Sequence, residues 1–132
     1  MEILIVMTII VILTAAVGFM AVRYVEKSRR VAARDQIETL SLALNAYALD
    51  CKGYPTEEQG LDALWIKPVL EPMPSGWAGP YVSKKIGADP WDHPYEYKVP
   101  GPNALPFAVR SFASDGKEGG EGNEKDIASW ED

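Results

Sequence analysis

The residues best suited to chemistry lie near the C-terminal end of this 132-residue chain. In Ser114-Asp115-Gly116-Lys117-Glu118-Gly119-Gly120-Glu121-Gly122-Asn123-Glu124-Lys125-Asp126, glycines alternate with oxygen donors. A hard cation such as calcium takes about six to eight oxygens, from carboxylates, amides and carbonyls, on a backbone able to bend around it. Glycine supplies the bends and the carboxylates supply the charge. The composition permits such a site, and it equally permits a solvated acidic loop. The EF-hand pattern D-x-[DN]-x-[DN]-G is absent, and so is the G-K-[ST] of a phosphate-binding loop.

Other chemistry-bearing residues are few. His93 and Cys51 are the only histidine and cysteine, which excludes an intrachain disulfide and a conventional His/Cys zinc site within one subunit. His93 has no nucleophile near it in sequence and reads as part of the turn Asp89-Pro90-Trp91-Asp92-His93-Pro94. No nucleophile–base pairing suggests an enzyme. The net charge of −6 is concentrated at the C-terminal end, where Asp115, Glu118, Glu121, Glu124, Asp126, Glu131 and Asp132 face only Lys117 and Lys125. Such a surface repels nucleic acid. Trp77, Tyr81 and Trp91 allow a different reading, an exposed aromatic groove on a membrane-tethered binding module.

These residues need a scaffold, and the sequence begins with one. Ile3 to Val22 carries no charge, and twenty helical residues rise about 30 Å, the thickness of a bilayer hydrocarbon core. The start is not basic and no A-x-A-like site follows, so the segment reads as a retained anchor. Glu2 stands at its edge, either hydrated near the helix N-terminus, where the dipole favours an anion, or paired with a cation on a neighbouring subunit. Arg23, Lys27, Arg29 and Arg30 follow the span. The positive-inside rule alone would put that end in the cytoplasm, whereas a basic leader ahead of Glu2 would reverse the balance.

No proline or turn cluster interrupts the chain before Asp50, so one helix is expected to continue that far. Ala33, Ile37, Leu40, Leu44, Tyr47 and Cys51 recur at steps of four and three and form one apolar stripe. A thiol on that line should be buried and inert. Gly53-Tyr54-Pro55 ends the helix, Thr56 to Gln59 reads as a capping box, and Leu61, Leu64 and Trp65 follow at helical spacing. Pro68, Pro72, Pro74, Gly76, Gly79 and Pro80 make the next stretch irregular, with Trp77 and Tyr81 packing it onto the stripe, and Tyr95–Val99 and Pro106–Ser111 are strand candidates. The expected fold is α+β. Residues 1–23 form the membrane part of a long helix, and residues 24–132 form a head, in which the amphipathic second half packs against short helices and a small antiparallel sheet.

Together these segments resemble the major pseudopilin of the type II secretion system. The resemblance rests on Glu2-Ile-Leu-Ile-Val-x-Thr-Ile-Ile-Val-Ile-Leu, on Leu49-Asp50 through Tyr54-Pro55-Thr56, and on Glu58-Gln59-Gly60-Leu61. It extends to Ala88-Asp89-Pro90-Trp91 and to Asp115-Gly116 through Asp126-Ile127 with Trp130. The apolar start is shared by all type IV pilin-like proteins; the later segments are more specific. A type IV pilus pilin is the alternative, but those usually close a C-terminal loop with a disulfide.

The resemblance implies a pilin-like fold and a prepilin that a prepilin peptidase cleaves and N-methylates. It implies a single-pass inner-membrane subunit whose head lies in the periplasm. Such a subunit polymerises with itself into a filament that drives export across the outer membrane, with minor pseudopilins and the inner-membrane assembly platform as partners. Glu2 would pair with the amino terminus of a neighbouring subunit. One calcium per head would be held by Asp115 and Asp126, with Asn123, Glu124 and the Phe112 carbonyl; Lys125 and Asp92 depart from the usual pattern. A leader ending in Gly, followed by Phe-Thr-Leu, is expected ahead of Glu2, where Met1 stands here.

Overall fold

A computed structural model describes residues 1–131, with Asn123 described by its backbone alone. Helix α1 runs from Glu2 to Cys51, 50 residues and about 75 Å. Its first part is rich in Ile and Val, whose stiff side chains make them indifferent helix formers in water. A hydrocarbon environment changes that balance, because every backbone N–H and C=O must then be satisfied within the segment. The two hydroxyls of this stretch obey the same demand. Thr8 and Thr14 donate to the Leu4 and Ile10 carbonyls at 2.7 Å each.

Residues 1–32 are exposed apart from half-buried Glu26 and Arg30, and burial begins at Ala33. Ala33, Ile37, Leu40, Leu44 and Tyr47 form the expected stripe, and Ala43 joins them. Cys51 corrects the expectation of a buried thiol: it is the last residue of the helix and only half-buried, packed against the core edge. The helix stops at Cys51, and the cap residue Lys52 takes the left-handed conformation (φ 61°) that commonly ends helices.

The capping box closes a single turn. The Gln59 N–H donates to Thr56 Oγ1 at 3.2 Å, and Gln59 Oε1 accepts the Thr56 N–H at 3.0 Å. No α-helix follows, because Gly60 turns the chain at φ 65° into a 3₁₀ turn, Leu61–Leu64. Of the three apolar residues read there as helical, only Leu64 is buried. The head's helices are therefore 3₁₀ turns, at Leu61–Leu64, Ala113–Asp115 and Gly122–Glu124.

The sheet has three antiparallel strands in the order β1 (Glu96–Lys98), β2 (Ala108–Ser111) and β3 (Ile127–Ala128). Tyr97 pairs with Val109, and Arg110 and Ser111 pair with Ala128 and Ile127. Strand β3 has no counterpart among the sequence-based expectations, and β1 and β2 are shorter than expected. Val109 and Ile127 point onto the α1 stripe, where they meet Leu44 and Leu64 in one core. Each such fully buried side chain contributes roughly 1.5–3 kcal/mol.

Candidate functional site

Two regions carry features that a folded head alone does not need: the exposed apolar half of α1 and the acidic loop between β2 and β3. In the first, Ile3, Leu4, Ile5, Val11, Ile12, Leu13, Val17 and Phe19 are each at least 60% exposed. Nothing in the described chain covers them, and this is the one helix long and apolar enough to cross a membrane among the described residues. Glu2 lies in its first turn, exposed, at the positive end of the helix dipole.

The acidic loop is anchored at both ends. At its start, Asp89 is buried (3% exposed), and its Oδ1 accepts the N–H groups of Trp91 (3.0 Å) and His93 (2.8 Å). Its Oδ2 accepts the Ser111 hydroxyl at 2.7 Å, and Ser111 Oγ accepts the Ala113 N–H at 3.2 Å. One carboxylate thus ties the Asp-Pro-Trp turn to the end of β2. It also supports Ala113, which is fully buried and left-handed at φ 58°. The His93 ring lies against Gly116, where a Cβ would come within 2.8 Å of it.

Within the loop, Gly120 (φ 98°) lies so close to the Glu124 carbonyl that a Cβ would be 2.4 Å away. That approach brings the Gly119 N–H to Asp126 Oδ2, 2.9 Å. Asp126 Oδ1 is buried and has no hydrogen-bond partner. Arg110 lies beside it, Nη1 3.6 Å from Asp126 Oδ2 and 3.2 Å from Glu118 Oε1, with Nε 2.6 Å from Glu96. Burial opposes the guanidinium charge, but the Glu96 and Glu118 carboxylates outweigh it and raise its pKa. Arg110 also stacks on the Phe112 ring, 4.8 Å from its centroid.

The expected calcium ligands are spread along this loop. Asp126 points an unsatisfied oxygen inward, and Asp115 is half-buried with Oδ1 accepting the Lys117 N–H at 3.1 Å. Glu124 is exposed in the 3₁₀ turn, Phe112 precedes the left-handed Ala113, and the Asn123 side chain lies outside the described residues. Among the described residues no three His, Cys, Asp or Glu side chains converge as a metal would require. Carbonyls would have to complete any calcium shell. An orphaned buried carboxylate oxygen is the feature here that fits a cation.

Helix α1 holds the loop from the other side. Arg30 Nη1 donates to the Lys125 carbonyl at 2.8 Å, and Trp91 Nε1–H donates to Glu26 at 3.2 Å. Sequence reasoning missed Asp89, Arg110 and Arg30 as loop-positioning residues, although the Asp-Pro-Trp turn did mark Asp89's neighbourhood. The aromatic residues offered for a binding groove face inward. Trp77 donates to the Ala63 carbonyl at 2.8 Å, Tyr81 to Asp50 at 2.8 Å, and their rings meet edge-on at 5.8 Å.

A family model for type II secretion system protein G matches residues 20–130. The chain belongs to this family. Type II secretion system core protein G of Pseudomonas aeruginosa is 38% identical over 130 residues, covering 98% of this chain and 91% of that protein. That of Vibrio cholerae is 38% identical over 129 residues, covering 95% and 86%. The crystal structure of the major pseudopilin from the type 2 secretion system of enterohaemorrhagic Escherichia coli superposes with a TM-score of 0.68 at 31% identity. It covers 83% of this chain and 92% of that one. The long helix with its small antiparallel sheet is thus the pseudopilin fold, and the family agrees with the resemblance read from the sequence.

Proposed function

We propose that this chain is the major structural subunit of a type II secretion pseudopilus, structural rather than catalytic. The observation that carries this is α1: one continuous helix whose rear half is the spine of the head while its front half is apolar and uncovered. In the membrane, residues 1–23 anchor the subunit with the head in the periplasm. In the filament, neighbouring copies cover the same surface. The precursor is processed by a prepilin peptidase, and minor pseudopilins and an inner-membrane platform assist assembly.

Glu2 is the assembly residue, drawn to the amino terminus of the next copy. A carboxylate entering an apolar filament core is costly without that partner. Replacing Glu2 by Ala should leave the chain in the membrane and abolish filaments seen by electron microscopy after co-expression with the secretion machinery. Normal filaments from Glu2→Ala would remove the assembly role.

Calcium is proposed for the acidic loop, held by Asp126 and Asp115 with Glu124, Asn123 and the Phe112 carbonyl. Its charge would neutralise the carboxylates and fix the loop against Arg30. At calcium a hundredfold above Kd, linkage adds about 2.7 kcal/mol of stability, so the full chain in micelles should melt higher with calcium, and Asp126→Asn should cancel the rise. An unchanged melting temperature, or an equal rise in Asp126→Asn, would refute calcium binding.

A further inference from the structure

Beside the end of the apolar span, α1 and β3 enclose an open groove of 540 Å³ lined by Met20, Arg23, Tyr24, Lys27, Arg30, Val31, Arg34 and Ile127. Four cations line it and no acid does. Glu26, the nearest acid on the helix, is turned away by Arg29 at 3.1 Å and the Trp91 indole. Among the described residues Arg23, Lys27 and Arg34 form no ion pair. We propose that this groove binds the phosphodiester headgroup of an anionic phospholipid.

Arg23 and Lys27 lie about 2 and 8 Å beyond Val22 along the helix, within the interfacial layer that follows the hydrocarbon core. Arg30 and Arg34, about 12 and 18 Å along, continue the basic lining toward the head, where Arg30 is held by the Lys125 carbonyl. Tyr24 suits the interface and Met20 continues the apolar span beneath it. Cations on the exported side of a span oppose the positive-inside tendency. Anionic headgroups offset that cost, at about tenfold in affinity for a cation or two near the surface. The acidic 115–131 segment of a second copy would match the charge too, but it does not explain why the groove adjoins the span.

The inference rests on residues 1–23 being membrane-spanning, and the test separates the two. The full chain is placed in phosphatidylcholine vesicles containing a minority of phosphatidylglycerol, and spin-labelled versions of each lipid report their association with it. Phosphatidylglycerol should be preferred on the order of tenfold, and added salt should weaken the preference. Arg23→Gln/Lys27→Gln/Arg34→Gln should abolish it while leaving the head's melting temperature unchanged. Lys52→Gln, at the far end of α1, should retain it. No preference in an inserted chain overturns the lipid site alone, as does a preference surviving the triple variant or lost equally in Lys52→Gln. Self-association in pure phosphatidylcholine that the triple variant removes, without lipid preference, assigns the groove to a second copy and also overturns it. A chain that does not remain in the vesicles overturns the anchor and the groove together.

Discussion

Replacing Asp89 by Ala should unfold more of this head than any surface acid could. The carboxylate accepts three hydrogen bonds, from the Trp91 and His93 amides and the Ser111 hydroxyl. Hydrogen bonds to a charged group contribute about 1.5–3 kcal/mol each, and a buried donor left alone costs roughly 1–3 kcal/mol. The three are not additive, since Trp91 and His93 are half-buried and water can reach their amides after truncation. A net loss of about 3–5 kcal/mol follows, a large share of the roughly 5–15 kcal/mol that a domain has. Urea unfolding of the full chain in micelles, followed by tryptophan fluorescence, should show the midpoint falling with an unchanged slope. Ser111→Ala should cost about 1–2 kcal/mol. The double variant should lose less than the sum, because the two changes remove one shared contact. A loss below about 1 kcal/mol for Asp89→Ala, or strict additivity with Ser111→Ala, would refute the reasoning.

Gly120→Ala should destabilise the acidic loop by about 1–3 kcal/mol, since it meets both a left-handed backbone and the Glu124 carbonyl. Gly119→Ala faces open space at a similar φ and should cost less; equal melting temperatures for the two would contradict the packing described. At alkaline pH, burial first, then Cys51, pushes the Tyr47 pKa up to about 12, and burial likewise raises Tyr95 and Tyr97. The unfolded tyrosines ionise near 10, so above that pH the unfolded state binds fewer protons and stability falls. The loss should begin near pH 10 and grow toward pH 12, with ultraviolet tyrosine titration lagging until unfolding. Normal titration of all tyrosines near pH 10 in the folded protein would contradict it.

What the sequence disclosed followed from how local each signal was. The α1 stripe was legible because Ala33, Ile37, Leu40, Leu44 and Tyr47 repeat at helical steps over several turns. The capping box was legible because both of its bonds lie within four residues, yet the helix expected after it was not formed, since Gly60 adopts a positive φ. Strand β3 is two residues long and paired across the whole acidic loop, so neither alternation nor spacing announced it. The acids of the loop could be counted in sequence. Which of them is buried could not, because Asp126 is placed by Gly119, Arg110 and the Arg30 clamp on Lys125, contacts from three separate elements. The left-handed Ala113 had no compositional signal at all.

The central claim is that the uncovered apolar half of α1 is made to be covered by copies of itself. Electron cryomicroscopy of filaments assembled from the processed full chain tests it most directly. The account predicts residues 2–22 packed against neighbouring copies at the filament centre, Glu2 within ion-pair reach of an adjacent amino terminus, and the sheet and acidic loop outside. Filaments held together by the heads, with the apolar segments apart, or a full-length chain that stays monomeric beside an active secretion machinery, would contradict it.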